Sequence, residues 1–186
     1  MTKKLGQINI GVWDWHVDYK EREIESNEII QCIGIKSHSF ILEIGAGSGH
    51  LSHHLTKQGN TVITTNSSQN EVIDCGLSPY VTPIFWEYTG LDTSFDILKK
   101  DEQYDYIIAN ANAMHSESGG PISTDRQYSN LVEKLLDLVK INGEIWLEFN
   151  PLLSSAYMDQ YKIPTIGNST KKHIESHSAY KIVRKK

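Results

Sequence analysis

Cysteine is scarce: the 186 residues hold only Cys32 and Cys75. Two thiols this far apart make neither a disulfide framework nor a zinc ribbon, and a reduced, cytoplasmic setting is the expectation. Long apolar runs are missing too. None approaches the roughly 20 residues that span a bilayer. The first residues, MTKKLGQINIGVWDW, carry two lysines without the unbroken apolar stretch of a secretory leader. Basic residues are in deficit, with 18 Lys and Arg against 23 Asp and Glu, for a net charge of -5. That balance speaks against a broad nucleic-acid-binding surface. There is no repeat, no low-complexity tract and no Pro/Gly/Ser-rich linker. A single globular domain is therefore expected, long enough to bury its own core.

The charge is unevenly placed. Residues 171–186 hold six Lys/Arg against one Glu, a local +5, which leaves -10 on the first 170 residues. The basic end admits two readings: a solvated C-terminal strand, or a patch for an anionic partner.

Short apolar runs alternate with longer amphipathic segments. SFILEIG (39–45), TVITTN (61–66), VTPIFWEY (81–88), YDYIIANA (104–111) and EIWLEFN (144–150) have strand character. Pro83 points to an edge for the third of these. Helices are expected at 20–34, 50–58, 67–76, 92–103 and 125–140, with Gly59 closing the second and Asn142-Gly143 forming the turn after the last. The segment SSAYMDQY has helical character, and SAYKIVRK (178–185) that of a final strand. Alternating βα units imply an α/β fold: a doubly wound, mostly parallel sheet with helices on both faces and an antiparallel last strand. Ligands on such a sheet bind beyond the carboxyl ends of the strands.

The sharpest motif is ILEIGAGSGH (41–50). Gly45, Gly47 and Gly49 lie between a strand and a helix, where the backbone turns tightly and can approach a ligand. The dinucleotide fingerprint G-x-G-x-x-G needs glycine at position 50, where His50 stands. The pattern E-x-G-x-G-x-G, opening on Glu43, resembles the first motif of the class I S-adenosylmethionine (SAM)-dependent methyltransferases, and the resemblance extends over 39–150. It implies a Rossmann-like core at 39–150, preceded by an N-terminal lid or helix segment (1–36) and followed by C-terminal strands (151–186).

The resemblance also implies roles. Gly45, Gly47 and Gly49 would pass beneath the cofactor, and Glu43 would help hold its amino group. Asn66 stands where the family has an acidic residue for the ribose hydroxyls. An amide is a weaker acceptor than a carboxylate, so Ser67 or Gln69 could share the task, the nucleoside could differ, or Asn66 could be a strand-end turn residue without a ligand. Glu87 and Tyr88 would meet the adenine. Asp105 matches the acidic start of the fourth strand, and Asn110 falls where cofactor and substrate meet. Asn110-Ala111-Asn112-Ala113 lacks the prolines of the N-P-P-Y form found in enzymes that methylate nucleic-acid amines.

His115 and His16 are candidate general bases, His115 from its place after the fourth strand and His16 from an aromatic N-terminal segment. Each is equally compatible with a solvated or anchoring role. His50, His53 and His54 share a helical face without a carboxylate or cysteine at matching spacing, so no metal is expected. The leading expectation is methyl transfer from SAM to an O or N nucleophile of a small molecule. The alternatives are a nucleic-acid or protein methyltransferase and a non-catalytic SAM-binding partner subunit.

Overall fold

The computed structural model describes residues 19–47, 49–67, 81–109, 124–147, 167–174 and 179–186. They fall into two compact units that divide after Trp86. Among the described residues no helix is long and apolar enough to cross a membrane.

The first unit contains α1 (Tyr19–Ile33), β1 (Phe40–Ile44), α2 (His50–Lys57), β2 (Thr61–Asn66) and β3 (Val81–Phe85). Its strands run β3-β2-β1 and both pairings are parallel, with Ile41 opposite Val62 and Val62 opposite Val81. Ile41, Leu42 and Ile44 are all buried although neighbours in a strand face opposite sides, so β1 is covered on both faces. That explains its apolar character on both faces, Glu43 apart. Helix α1 packs on α2 and buries Ile29, Ile30 and Ile33. β3 lies at the sheet edge, where Pro83 can be accommodated. The α2–β2 turn is held by Asn60, whose side chain accepts from the Ser39 N–H (2.9 Å) and donates to the Leu55 carbonyl (3.0 Å).

The second unit contains β4 (Tyr104–Ala109), α3 (Asp125–Leu138), β5 (Val139–Leu147), β6 (Ser169–Ile174) and β7 (Ala179–Arg184). Its strand order is β4-β5-β7-β6. β4 and β5 are parallel, while β7 runs antiparallel to both β5 and β6. The antiparallel last strand is thus as the sequence implies. Helix α3 opens on a capping box: the Thr124 hydroxyl accepts from the Gln127 N–H and the Gln127 side chain accepts from the Thr124 N–H. Tyr128, Leu131, Val132, Leu135 and Leu138 form its buried stripe.

Three expectations change. The helix expected over 92–103 is one 3-10 turn at Asp96–Leu98, because the Ser94 hydroxyl accepts the Asp96 N–H and a local turn replaces the helical ladder. The helix expected to reach 140 ends at Leu138, and Val139 is already extended. Asn142-Gly143 lies within β5 rather than before it. The register slips between Tyr104–Val139 and Tyr106–Glu144, and Asn142 takes a positive φ of 64° in that irregularity. A Cβ on Gly143 would stand 2.7 Å from Val139 Cγ2, 2.9 Å from the Lys140 carbonyl oxygen and 3.0 Å from that of Asp105. Only glycine fits there. Lys140 bridges Glu102 and Asp105 at 2.8 and 2.9 Å, so Asp105 takes part in closing β4 onto β5.

Candidate functional site

The glycine loop leaves β1 at Ile44 and enters α2 at His50. Gly45, Gly47 and Gly49 have φ of 73°, 55° and 78°, a left-handed region in which a side chain costs strain. The end of β2 holds this loop. The N–H groups of Gly45 and Ala46 both donate to the Thr65 carbonyl, at 3.0 and 3.1 Å. The Gly47 N–H donates to Asn66 Oδ1 (2.8 Å), and Asn66 Nδ2 donates back to the Gly47 carbonyl (3.3 Å). The Gly49 N–H closes on the Ala46 carbonyl (2.9 Å).

Every described N–H of the loop therefore points into the protein. A phosphate cradle works the other way, with several N–H groups converging on the anion. Among the described residues of this loop no such convergence is built. A Cβ on Gly47 would meet nothing within 4 Å, so the space beside its main chain is open. A part-exposed backbone with open space before it fits the uncharged nucleoside portion of SAM.

Glu43 is buried on β1. Its carboxylate accepts from the Ser52 hydroxyl in the first turn of α2. Glu43 thus ties the start of α2 to the neighbouring strand. Burial raises its pKa to about 7, against the opposing effect of hydrogen bonding by Ser52.

Asn66 is 1% exposed, and Ser67, which follows it, is exposed. His50 and His54 are buried and His53 is half-buried. Burial and the nearby Lys57 hold His53 and His54 below the usual histidine range. Among the described residues no group of three or more His, Cys, Asp or Glu is placed to hold a metal ion.

In the second unit, Glu87 is exposed. Tyr88 is buried: its hydroxyl donates to the Gln127 carbonyl at 3.0 Å, and its ring meets Phe95 edge-on. The place the structure gives Tyr88 is in packing against α3. Asn110, His115 and His16 lie outside the described residues, as do residues 68–76 of the helix expected over 67–76 and the segment SSAYMDQY.

Sequence reasoning missed Thr65 and Ser52. Thr65 shapes the loop chiefly through its carbonyl, with its hydroxyl also accepting from the Gly45 N–H at 3.4 Å. A serine three residues after the last glycine, in line to meet the strand carboxylate, was a readable signal for Ser52.

No protein-family model and no curated protein matches the sequence. Solved structures do. A Methanococcus maripaludis protein assigned as an S-adenosyl-L-methionine-dependent methyltransferase superimposes with a TM-score of 0.61 at 15% identity, over 89% of this chain and 84% of that one. A TehB-like SAM-dependent methyltransferase from Corynebacterium glutamicum gives 0.59 at 13% identity, over 87% and 88%. Coclaurine N-methyltransferase, bound to N-methylheliamine and SAH, gives 0.53 at 16% identity over 68% of this chain, which spans 35% of that larger protein. At these identities the likeness is one of fold, and the fold of this chain is the Rossmann-like fold of the class I SAM-dependent methyltransferases.

Proposed function

We propose that the protein is a SAM-dependent methyltransferase acting on an O or N nucleophile of a small molecule. One observation carries the reading: a three-glycine, left-handed loop at the carboxyl end of β1 turns its N–H groups inward and leaves open space beside Gly47. Such a loop suits a nucleoside with no phosphate. Bound there, SAM would supply a methyl group already activated on a sulfonium. The chain's own task is then to bind and orient. Gly45, Gly47 and Gly49 would shape the floor of the site, Glu43 would fix the first turn of α2 beside it, and Ser67 would offer an exposed polar group. Bringing the nucleophile to about 3–3.5 Å from the methyl carbon supplies most of the rate. His115 and His16 are the bases this reading proposes.

Two features support a small substrate. The body of the chain is acidic, and part of the basic C-terminal charge is used internally. Lys181 pairs with Glu144 and sits over the Trp146 ring, while Arg184 donates to the Val139 carbonyl. Lys172, Lys185 and Lys186 remain exposed.

The test is calorimetry of the purified protein with SAM and with S-adenosylhomocysteine. Binding of both by wild type, and of neither by Gly47→Arg, is expected. The open space at Gly47 lets the new side chain be accommodated at the cost of left-handed strain, about 1–2 kcal/mol, so the variant should fold with its site filled.

A further inference from the structure

The residue at the end of β2 makes a contact that the resemblance does not imply. Asn66 is buried, and its amide makes two contacts with Gly47 of the loop across the strand ends. Oδ1 accepts from the Gly47 N–H and Nδ2 donates to the Gly47 carbonyl. A primary amide is the side-chain group that offers an acceptor and a donor in one plane without a charge. Reversing it would set oxygen against oxygen at the Gly47 carbonyl, so the pair of contacts fixes its orientation.

A carboxylate could replace only half of this. It would keep the acceptor for the Gly47 N–H and turn its second oxygen toward the Gly47 carbonyl, two acceptors facing each other in a buried place. The amide is thus matched to Gly47. Gly47 in turn holds a φ of 55° beside open space, and the other described loop N–H groups are fastened chiefly by main chain, at the Thr65 and Ala46 carbonyls, with the Thr65 hydroxyl 3.4 Å from the Gly45 N–H. Asn66 supplies the one side-chain clamp at the centre of the loop among the described residues.

We propose that Asn66 is a positioning residue for the nucleoside site, acting through Gly47 by holding the loop in its ligand-ready shape, and not the ribose-binding counterpart of the family's acidic residue. The proposal rests on the reading that this loop holds a nucleoside. Its structural half, the clamp on Gly47, can be tested without any ligand.

Asn66→Asp is the diagnostic variant, because protonation turns its carboxylate into an uncharged acceptor–donor pair of nearly the amide's shape. Two measurements are made between about pH 5 and pH 8. The first is the Gly47 backbone amide resonance and its hydrogen exchange in the ligand-free protein. Wild type should show a protected Gly47 N–H. The variant should show a Gly47 resonance that titrates toward the wild-type position as the pH falls. The second is calorimetric affinity for S-adenosylhomocysteine, taken as the ratio of variant to wild type at each pH so that other titrating groups cancel. The variant should bind roughly tenfold or more weakly near pH 8 and approach wild type near pH 5.

Tighter binding by Asn66→Asp near pH 8, or a ratio that does not change with pH, overturns the proposal, since a ribose ligand gains from the carboxylate. An unprotected Gly47 N–H in wild type overturns it as well. If the variant folds only at low pH, the proton-dependent clamp is supported. If it folds at no pH, Asn66→Ala decides: loss of Gly47 protection with the rest of β1 and β2 still protected supports the proposal, and unchanged Gly47 protection overturns it. Wild type that binds no S-adenosylhomocysteine refutes the nucleoside reading, while the Gly47 resonances still report on the clamp.

Discussion

Ser52 donates its hydroxyl to the carboxylate of Glu43, so a strand residue is tied by a side-chain bond to the first turn of the helix that follows the glycine loop. The bond ties the floor of the candidate site to the start of α2. It also places an ionisable group in the core, with a pKa of about 7 set chiefly by burial.

The sign of the consequence follows from the direction of that shift. A carboxyl whose pKa rises from 4.5 to about 7 on folding contributes stability that is complete below pH 4.5 and is lost as the pH climbs through 7. Glu43→Gln keeps an acceptor for Ser52 and cannot ionise. Between about pH 4 and pH 8 the stability difference should move in favour of the variant by up to about 3 kcal/mol. Urea denaturation at several pH values checks this, and parallel profiles for the two proteins would refute it.

Gly143 and Gly47 make a contrasting pair. At Gly143 an added methyl meets Val139 Cγ2 and two main-chain oxygens, none farther than 3.0 Å. Gly143→Ala should cost about 2–3 kcal/mol through overpacking in the β4–β5 irregularity. At Gly47 the methyl meets open space and the cost is only left-handed strain, about 1–2 kcal/mol. Chemical denaturation of both variants measures the order. Equal losses would mean that the β5 irregularity relaxes around the new methyl.

Thr124→Ala removes the hydroxyl half of the α3 capping box and should cost about 1 kcal/mol. Thr124→Ser should recover most of the loss. The check is the denaturation midpoint of the three proteins, and an unchanged midpoint for Thr124→Ala would mean that the first turn of α3 contributes nothing to stability.

If His115 is the base, His115→Ala should lower turnover by about 10²–10⁴-fold and leave S-adenosylhomocysteine affinity within a few-fold of wild type. Steady-state kinetics on a found substrate, together with calorimetry, separates the two effects. An unchanged rate removes the role and returns attention to His16.

The parts of the fold that depend on local pattern were legible in the sequence. The short apolar run of β1, the β-branched run of β2 and the stripe of α3 each announced their elements, and the glycine spacing announced the loop. Elements fixed by competition with tertiary contacts were not. The residues 92–103 have helical composition, yet Ser94 captures the Asp96 N–H and ends the helix at one turn. Asn142-Gly143 has the composition of a turn, but the strand passes through it because the pairing of β5 with β4 continues on both sides. Asn66 could be aligned with a family position from sequence. Its engagement with Gly47 could not be read there, because it depends on the end of β2 lying beside the loop that leaves β1.

The central claim is that the loop 45–49 holds a SAM-type nucleoside, and titration of the folded wild-type protein with S-adenosylhomocysteine tests it most directly. The account predicts saturable one-to-one binding that Gly47→Arg abolishes while its circular dichroism stays that of wild type. A folded wild-type protein that takes up no S-adenosylhomocysteine and no SAM, or a Gly47→Arg variant that binds them as well as wild type, would contradict it.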